Sequence, residues 1–149
     1  MNTKDTNPKD AVGIARAYAS TIPRPVLWSV GLALLEGALK YGRHNYRAAG
    51  VRASVYYDAA MRHLDAWWEG QDIDPDSGLH HIDKAIAGLI VLRDAMHNGN
   101  CEDDRPPAFW NPNWLTGLNQ AAALLLERYP EDARKAPFTQ KGVAHGDDR

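Results

Sequence analysis

The sequence predicts an all-α protein built as a helical bundle. Apolar residues recur at helical spacing in four separate segments, and prolines and glycines bracket those segments. No segment shows the alternation of apolar and polar residues that is typical of a half-buried strand. The length of 149 residues fits one domain whose helices are joined by short connections.

The first predicted helix spans about residues 25–41. Pro25 suits a first helical turn, and Gly42 supplies the stop. Apolar side chains lie nearly all round this helix, at Leu27, Val30, Leu32, Leu34, Leu35, Ala38 and Tyr41. Such a helix is buried, either inside the fold or at a contact between subunits. The proline-containing residues 1–24 before it predict an extended arm.

The second predicted helix spans about residues 54–69. Ser54 is the expected N-cap, and Gly70 is the expected stop. The expected core stripe consists of Tyr57, Met61, Leu64 and Trp68. A separate polar stripe consists of Asp58, Arg62, Asp65 and Glu69. The helix is therefore expected to be amphipathic.

The third and fourth helices are predicted over about residues 75–98 and 114–129. Asp74 and Asn113 are the expected caps. The expected core face of the third helix consists of Leu79, Ile82, Ile86, Leu89 and Ile90. From Pro130 onward the chain is polar and without periodicity, so we expect a mobile tail there.

Composition argues against several classes of protein. The formal net charge of −2 gives no support to a broad nucleic-acid-binding surface. Cys101 is the single cysteine, which excludes an intramolecular disulfide and suits a reducing compartment. The N-terminal residues lack the apolar core of a secretion signal, and no segment is apolar and long enough to span a bilayer. We therefore expect a cytoplasmic protein that binds neither nucleic acid nor membrane.

Several catalytic motifs are also missing. The sequence has no glycine-rich phosphate loop, no GxSxG, no HExxH and no His-Asp dipeptide. Zinc is a weak interpretation of His63, His80 and His81, because adjacent histidines on one helix point in different directions. An acid-rich, metal-assisted mechanism is what remains.

Glu36 stands in the otherwise apolar first helix, one turn before Lys40. A buried, unpaired carboxylate is costly, so Glu36 needs a partner. One interpretation is an i,i+4 salt bridge to Lys40 on an exposed edge. The other is a metal ligand that projects into the bundle, where carboxylate sites of helical proteins are commonly built. The residues alone leave both interpretations open.

Five acidic side chains cluster between Asp65 and Asp76. Hard divalent cations prefer several carboxylate oxygens, so the group is a reasonable metal site. Glu69 and Asp72 have ExxD spacing, which places both on one side if the helix continues through residue 70. For Asp74, capping of a helix is the alternative to metal binding.

Four segments form an ordered set of distinctive motifs. They are Asn7-Pro8-Lys9-Asp10, residues 34–46 (LLEGALKYGRHNY), residues 50–60 (GVRASVYYDAA), and the run from Arg62-His63 through Ile73-Asp74-Pro75 to Lys84-Ala85. Together they resemble the phage dATP/dGTP diphosphohydrolase family, whose members are similar to the all-α MazG-like pyrophosphohydrolases. The resemblance covers about residues 7–107. It predicts a MazG-like domain with its N-terminal arm over residues 1–107, and a C-terminal helix and mobile tail over residues 108–149.

The resemblance implies an enzyme that cleaves a deoxynucleoside triphosphate between its α and β phosphates. The products are the dNMP and pyrophosphate, the expected substrates are dGTP and/or dATP, and the expected cofactor is Mg²⁺ or Mn²⁺. In a phage, dGMP made in this way would be the precursor of a 2-aminoadenine nucleotide. The resemblance also implies a MazG-like bundle completed by oligomerisation, as a homodimer or homotetramer, in the cytoplasm of an infected bacterial host.

The same resemblance distributes roles among the polar residues. Catalytic roles are expected for Glu36, Asp58 and Glu69, and metal contacts for these three together with Asp72 and Asp74. Substrate contacts are expected for Lys9, Asp10, Lys40, Arg43, Asn45, Arg62, His63 and Lys84. The sequence departs from the MazG-like pattern at Leu39, where an ExxE motif has its second glutamate, and at Gln71, where a glutamate is expected. The alternative function is a non-enzymatic adaptor that uses the apolar first helix as its partner interface.

Overall fold

The computed structural model of the chain describes residues 7–141. The chain divides after Asp103 into two compact units, which are described separately. The first unit contains five helices, α1 (Pro8–Gly13), α2 (Arg24–Tyr41), α3 (Asn45–Ala49), α4 (Ala53–Trp68) and α5 (His81–His97), and two short strands, β1 (Val51–Arg52) and β2 (Cys101–Glu102). The second contains α6 (Trp114–Arg128) and a 3₁₀ turn (Glu131–Ala133). The all-α fold class predicted from the sequence is confirmed.

The sequence analysis predicted an extended N-terminal arm, but part of this arm is helical. The side chain of Asn7 accepts a hydrogen bond from the backbone N–H of Lys9 at 3.1 Å, and Pro8 follows it at the first helical position. Proline there loses no helical hydrogen bond and already has helical φ, so this cap starts the short helix α1. Residues 1–6 of the predicted arm lie outside the described residues.

Helix α5 begins at His81, several residues later than the sequence analysis predicted. Asp74 does not cap it. Its carboxylate instead accepts hydrogen bonds from the Ser77 hydroxyl at 2.6 Å and from the Asp76 N–H at 3.2 Å. The turn closes through Gly78, whose φ of +72° does not fit a helix. The N-cap of α5 is His80, whose Nδ1 accepts from the N–H of Ile82 at 3.1 Å. Ser54 is likewise not a cap, since α4 begins one residue before it.

The core of the first unit consists mainly of small side chains. One cluster joins Val30 and Ala33 of α2 to Ala87 of α5. The other joins Val51 to Val91 and Ala95. Ala60 of α4 and Ala85 of α5 are buried as well, and such small side chains let two helices approach closely. Helices α4 and α5 form the most extensive contact between elements and together make a hairpin.

The large side chains predicted as core stripes are exposed instead. In α4 these are Tyr57, Met61, Leu64 and Trp68, and in α5 Leu89 and Ile90. The core stripe predicted for α4 is therefore wrong, whereas that of the third helix is right in part, since Leu79 and Ile86 pack against the core. Hydrophobic periodicity does not distinguish a face that meets a neighbouring helix from one that stays on the surface. Helix α2 has a similar surface at Leu32, Leu35 and Leu39.

A parallel strand pair closes the α4–α5 hairpin at its base. Val51, before α4, pairs with Cys101, after α5, and Arg52 pairs with Glu102. The side chain of Asn100 donates to the carbonyl oxygens of Tyr46 and Arg47 at 3.0 and 2.9 Å. These bonds fix the segment that precedes α4 against the segment that follows α5.

The second unit is organised around α6, which has the predicted bounds to within a residue. Arg134 donates to the carbonyl oxygens of Tyr129 and Leu126 at 2.6 and 3.2 Å, which satisfies groups at the C-terminal end of the helix. No side chain of α6 is buried. Residues 142–149 of the predicted tail lie outside the described residues. Between residues 7 and 141 no helix combines the length and apolar character that crossing a bilayer requires.

Candidate active site

A cavity of about 790 Å³ lies between α2, α4 and α5 of the first unit. The turn between α2 and α3 and the residues of α3 that follow it close one side. The volume is in the range of sites that enclose small ligands, which is large enough for a nucleotide. Among its described lining residues, three permanently cationic side chains and a single carboxylate meet, namely Lys40, Arg43, Lys84 and Glu36. Its polar character therefore favours an anionic ligand.

Glu36 lies between two lysines from different helices. Its Oε1 is 2.5 Å from Nζ of Lys40, one turn later in α2, and Lys84 of α5 donates to its Oε2. The predicted Glu36–Lys40 salt bridge is therefore present, and Lys84 is a second partner. Hydrogen bonds from Lys40 and then Lys84 hold the pKa of Glu36 below its ordinary value. The group carries a net positive charge.

The two lysines differ in their exposure to water. The Lys84 side chain is 17% exposed, whereas that of Lys40 is 54% exposed. Lys84 thus holds Glu36 from inside the unit, and Lys40 holds it from the solvent side. Displacement of Lys40 toward an incoming phosphate costs less than displacement of Lys84, because water replaces the lost contact only at the exposed position.

The turn after α2 contributes polar and aromatic groups to the cavity. His44, Asn45 and Tyr46 line it together with Arg43. His44 has φ of +64°, in the left-handed region that a residue with a Cβ rarely adopts. The rings of His44 and Tyr46 meet edge to face at 6.2 Å between centroids. A strained backbone position at the rim of a cavity is typical of a binding loop.

His63 of α4 connects the cavity to buried His81 and, through it, to Gln71. Its Nδ1 lies 2.8 Å from Nδ1 of His81, and Nε2 of His81 lies 2.7 Å from Oε1 of Gln71. His63 lines the cavity, whereas His81 is 4% exposed at the start of α5. Burial first, and then the electrostatic interaction with His81, lower the pKa of His63; Lys84 and Arg62 add to this, and Asp74 opposes it.

The structure brings together some of the residues predicted for the site. Glu36, Lys40, Arg43, Asn45, His63 and Lys84 line the cavity. Lys9, Asp10, Asp58, Arg62, Glu69, Asp72 and Asp74 do not. Lys9 and Asp10 are in α1, Asp58 and Arg62 are exposed on α4, and Glu69 ends that helix. The Ser77 hydroxyl, followed by the Asp76 N–H, keeps the pKa of Asp74 low in its turn.

A ready-made metal cage is not found in the described part of one chain. Nowhere between residues 7 and 141 do three His, Cys, Asp or Glu side chains converge in a way that would hold an ion. Mg²⁺ does not require such a cage, since it usually keeps several waters and binds one or two carboxylates together with substrate phosphates. Glu36 is the one carboxylate among the described lining residues of the cavity, and its Oε1 becomes available to an ion only when Lys40 leaves it for a phosphate.

Sequence reasoning missed His81 and Gln71. Because adjacent histidines on one helix point in different directions, the sequence argued against a site that both His80 and His81 share. In the structure, His81 alone contacts His63 of α4, and His80 caps α5. Gln71 belongs to the loop after α4 and carried no local signal of its contact. Ser29 was missed as well; its hydroxyl donates to Asp83 and ties α2 to α5 beside the cavity.

Comparison with known proteins gives the family. A family model described as "dATP/dGTP diphosphohydrolase, N-terminal" matches residues 6–105. A dATP/dGTP diphosphohydrolase of Salmonella phage PMBT28 is 34% identical over 76 residues, which cover 51% of this chain but only 26% of the phage protein. No solved structure matches the chain. Because the family match covers most of the sequence and includes the whole cavity, the chain belongs to the dATP/dGTP diphosphohydrolase N-terminal family.

Proposed function

We propose that this chain hydrolyses dGTP and/or dATP to the dNMP and pyrophosphate. The observation that supports it most is the cavity, where Lys40, Arg43 and Lys84 surround Glu36 in the segment matched by the family. A triphosphate carries several negative charges, and preorganised cations in a partly enclosed site stabilise the charge that develops on the departing pyrophosphate. The named activity of the phage relative, of which the matched stretch is a minor part, agrees with this proposal.

The proposed role of Lys40 and Arg43 is to bind the phosphates from the open side of the cavity. Lys84 stays paired with Glu36 and keeps that carboxylate ionised and oriented. The polar and aromatic groups of the turn after α2, Asn45 and Tyr46, are the proposed contacts for the nucleoside. In a phage, the dGMP released would supply the pool for 2-aminoadenine nucleotides in the cytoplasm of the host.

The proposed cofactor is Mg²⁺ or Mn²⁺ that enters with the triphosphate. When bound, the ion would neutralise phosphate charge and polarise the attacking water. Glu36 is the proposed carboxylate ligand in the cavity, because Mg²⁺ needs few protein ligands when phosphates supply the others. Asp58, Glu69, Asp72 and Asp74 stay proposed contributors in an assembled oligomer, since one chain does not bring them to the cavity.

A homodimer or homotetramer is the proposed assembly. Among the described residues, Val30 is the largest side chain that is fully buried, while Leu39 is 80% and Trp68 75% exposed. Monomers rarely expose apolar side chains on several helices at once, and a second copy would cover them. Light scattering should give at least twice the mass of one chain. A monodisperse monomer at micromolar concentration would contradict the assembly without touching the proposed reaction.

The test of the reaction is a product analysis. Each dNTP is incubated with the purified protein and Mn²⁺, and phosphorus NMR follows the products. We expect pyrophosphate and dNMP in equal amounts from dGTP or dATP, and no reaction in excess EDTA. Triphosphate as the main product, or activity that survives chelation, would overturn the proposal. No turnover of any dNTP would favour the alternative, a non-enzymatic helical adaptor.

A variant series divides the carboxylates by role. Glu36→Gln should remove most of the turnover, because the cavity then lacks its only described carboxylate. Glu69→Gln keeps shape and removes one charge outside the cavity, so it should impair turnover only if the assembled oligomer brings Glu69 to the metal. Glu127→Gln, on the exposed surface of α6 in the second unit, is the matched control for loss of one carboxylate charge. Circular dichroism confirms that each variant is folded.

A further inference from the structure

Three side chains form a hydrogen-bonded chain that the proposed phosphate site does not use. They are His63 of α4, His81 at the start of α5 and Gln71 of the intervening loop, joined by contacts of 2.8 and 2.7 Å. His81 and Gln71 do not line the cavity, whereas His63 does. The chain therefore runs from exposed Gln71 through buried His81 to one ring at the cavity wall.

The contacts determine which nitrogen of each neutral ring carries the proton. The Oε1 of Gln71 accepts only, so Nε2 of His81 is the donor to it. A neutral imidazole has one N–H, so Nδ1 of His81 is an acceptor, and Nδ1 of His63 must donate to it. The Nε2 of His63 is left with a free lone pair. The orientation of the Gln71 amide sets the direction of the whole chain.

The free lone pair lies on the side of the His63 ring that points away from His81. The two nitrogens of an imidazole point in divergent directions, and Nδ1 of His63 is directed at the buried His81. Within residues 7–141, Nε2 of His63 has no protein hydrogen-bond partner, and the ring lines the cavity. A hydrogen-bond acceptor is thus available on a side chain that lines the same cavity as Lys40, Arg43 and Lys84.

Glu36 is a poor proton acceptor by comparison. Both of its oxygens are engaged, one by Lys40 and the other by Lys84, and these contacts favour the ionised form of the carboxylate. Burial keeps His63 neutral, with its pKa below the ordinary value, so its lone pair is available near neutral pH.

We propose that Nε2 of His63 accepts the proton of the water that attacks the α phosphorus, and that His81 and Gln71 are positioning residues that hold its tautomer. This inference rests on the proposed function. The water oxygen forms a bond to the α phosphorus as one of its protons passes to Nε2. The bond between the α phosphorus and the oxygen that bridges to the β phosphorus breaks, and its electron pair leaves with pyrophosphate.

The first test reads the tautomer directly. Long-range ¹H–¹⁵N correlation spectra of the histidine side chains in the full-length protein, assigned by comparison with His63→Gln, distinguish the two nitrogens of His63. We expect a protonated Nδ1 and a bare Nε2 at neutral pH, the less common tautomer of histidine in water. A protonated Nε2 on a neutral ring would overturn the proposal, because that nitrogen then has no lone pair to accept a proton.

The second test separates catalysis from binding. His63→Gln should lower kcat at least about 100-fold, as loss of a general base does, with little change in KM. His97→Gln is the matched control, since His97 ends α5 on its exposed surface, away from the cavity. An active parent protein with an unimpaired His63→Gln variant would overturn this inference alone. An inactive parent protein would overturn the proposed function as well.

Gln71 gives the sharpest discrimination. Gln71→Leu removes the acceptor and should lower kcat about 10-fold, in the range found for groups that orient a histidine. If Gln71→Leu kept both kcat and the bare Nε2 of His63 while staying folded, the chain would not hold the tautomer and the inference would be wrong.

Discussion

Lys84 and Lys40 contact the same carboxylate but should contribute unequally to stability. Lys84→Met keeps the length of the side chain and removes a charged hydrogen bond between groups that are 17% and 20% exposed. Such a bond contributes about 2 kcal/mol, and Glu36 would be left half-buried with one partner on the solvent side. Lys40→Met removes an exposed i,i+4 pair, which contributes about 0.4 kcal/mol.

Urea denaturation followed by circular dichroism measures both losses. With a urea dependence of about 2 kcal/mol per molar, Lys84→Met should lower the midpoint by about 1 M and Lys40→Met by about 0.2 M. In a Glu36→Gln background, the cost of Lys84→Met should fall sharply, because its charged acceptor is gone. Equal losses for the two lysines, or a Lys84→Met loss that is unchanged in that background, would refute the reasoning.

The pH dependence of the same comparison has a definite sign. The folded-state pKa of Glu36 is lowered by its hydrogen bonds with Lys40 and Lys84. Its contribution to stability is therefore complete above the ordinary glutamate pKa and is lost as the pH falls through the lower, folded-state value. The stability difference between the parent protein and Lys84→Met should thus persist at neutral pH and shrink below about pH 4.

Four further substitutions test the fold around the cavity. Val30→Ala removes two fully buried methyl groups and should lower the free energy of unfolding by about 2 kcal/mol in urea; a loss near zero would mean that the α2 contact is loose. Gly50→Ala places a Cβ 2.6 Å from the backbone oxygen of Asn100, at φ of +76°, and should lower the free energy of unfolding by at least about 3 kcal/mol. Gly42→Ala, at φ of +92° with no atom near its Cβ, should lower it by only about 1 kcal/mol. Equal melting temperatures for these two would contradict the close approach. His44→Gly relieves the left-handed strain and should raise the unfolding free energy by about 0.5 kcal/mol, as measured by thermal denaturation; destabilisation would show that contacts of the ring outweigh the strain.

The sequence predicted correctly those helix ends that a nearby proline or glycine marks. Pro25 and Gly42 mark the ends of α2, and the prediction agrees with the structure to within a residue. The prediction of the start of α5 was wrong because an aspartate carboxylate either caps a helix or stabilises a turn. In the structure, the Asp74 carboxylate accepts from the Ser77 hydroxyl in a turn and caps no helix. Nothing in the local pattern ranks these two, since both are ordinary uses of aspartate.

The site was predictable only where its contacts are local. The Glu36–Lys40 pair follows from helical spacing within α2, but Lys84 comes from α5, 48 residues away. Which face of α4 packs inward was also beyond the pattern, because alanines at that contact make little contribution to hydrophobic periodicity. Without that face, the direction of His63 toward α5 cannot be derived.

The parallel strand pair between β1 and β2 makes one part of the first unit more tightly connected than the rest. It joins the entry of α4 to the exit of α5, and Asn100 binds the carbonyls just before it, so this segment is closed on itself by backbone pairing. Helix α2 is attached differently, through Val30 and Ala33 against Ala87 and through side-chain contacts from Ser29 and Glu36.

Local opening in proteins begins where few backbone bonds cross between elements. We therefore expect the hairpin of α4 and α5, which the strand pair closes, to stay folded longest. We expect α2 to detach first when the unit opens in part. The cavity lies between α2 and the α4–α5 hairpin. We therefore expect its α2 side and its hairpin side to open separately. A triphosphate held by Lys40 on one side and facing His63 on the other would join those two sides, so occupancy of the site and docking of α2 become linked equilibria.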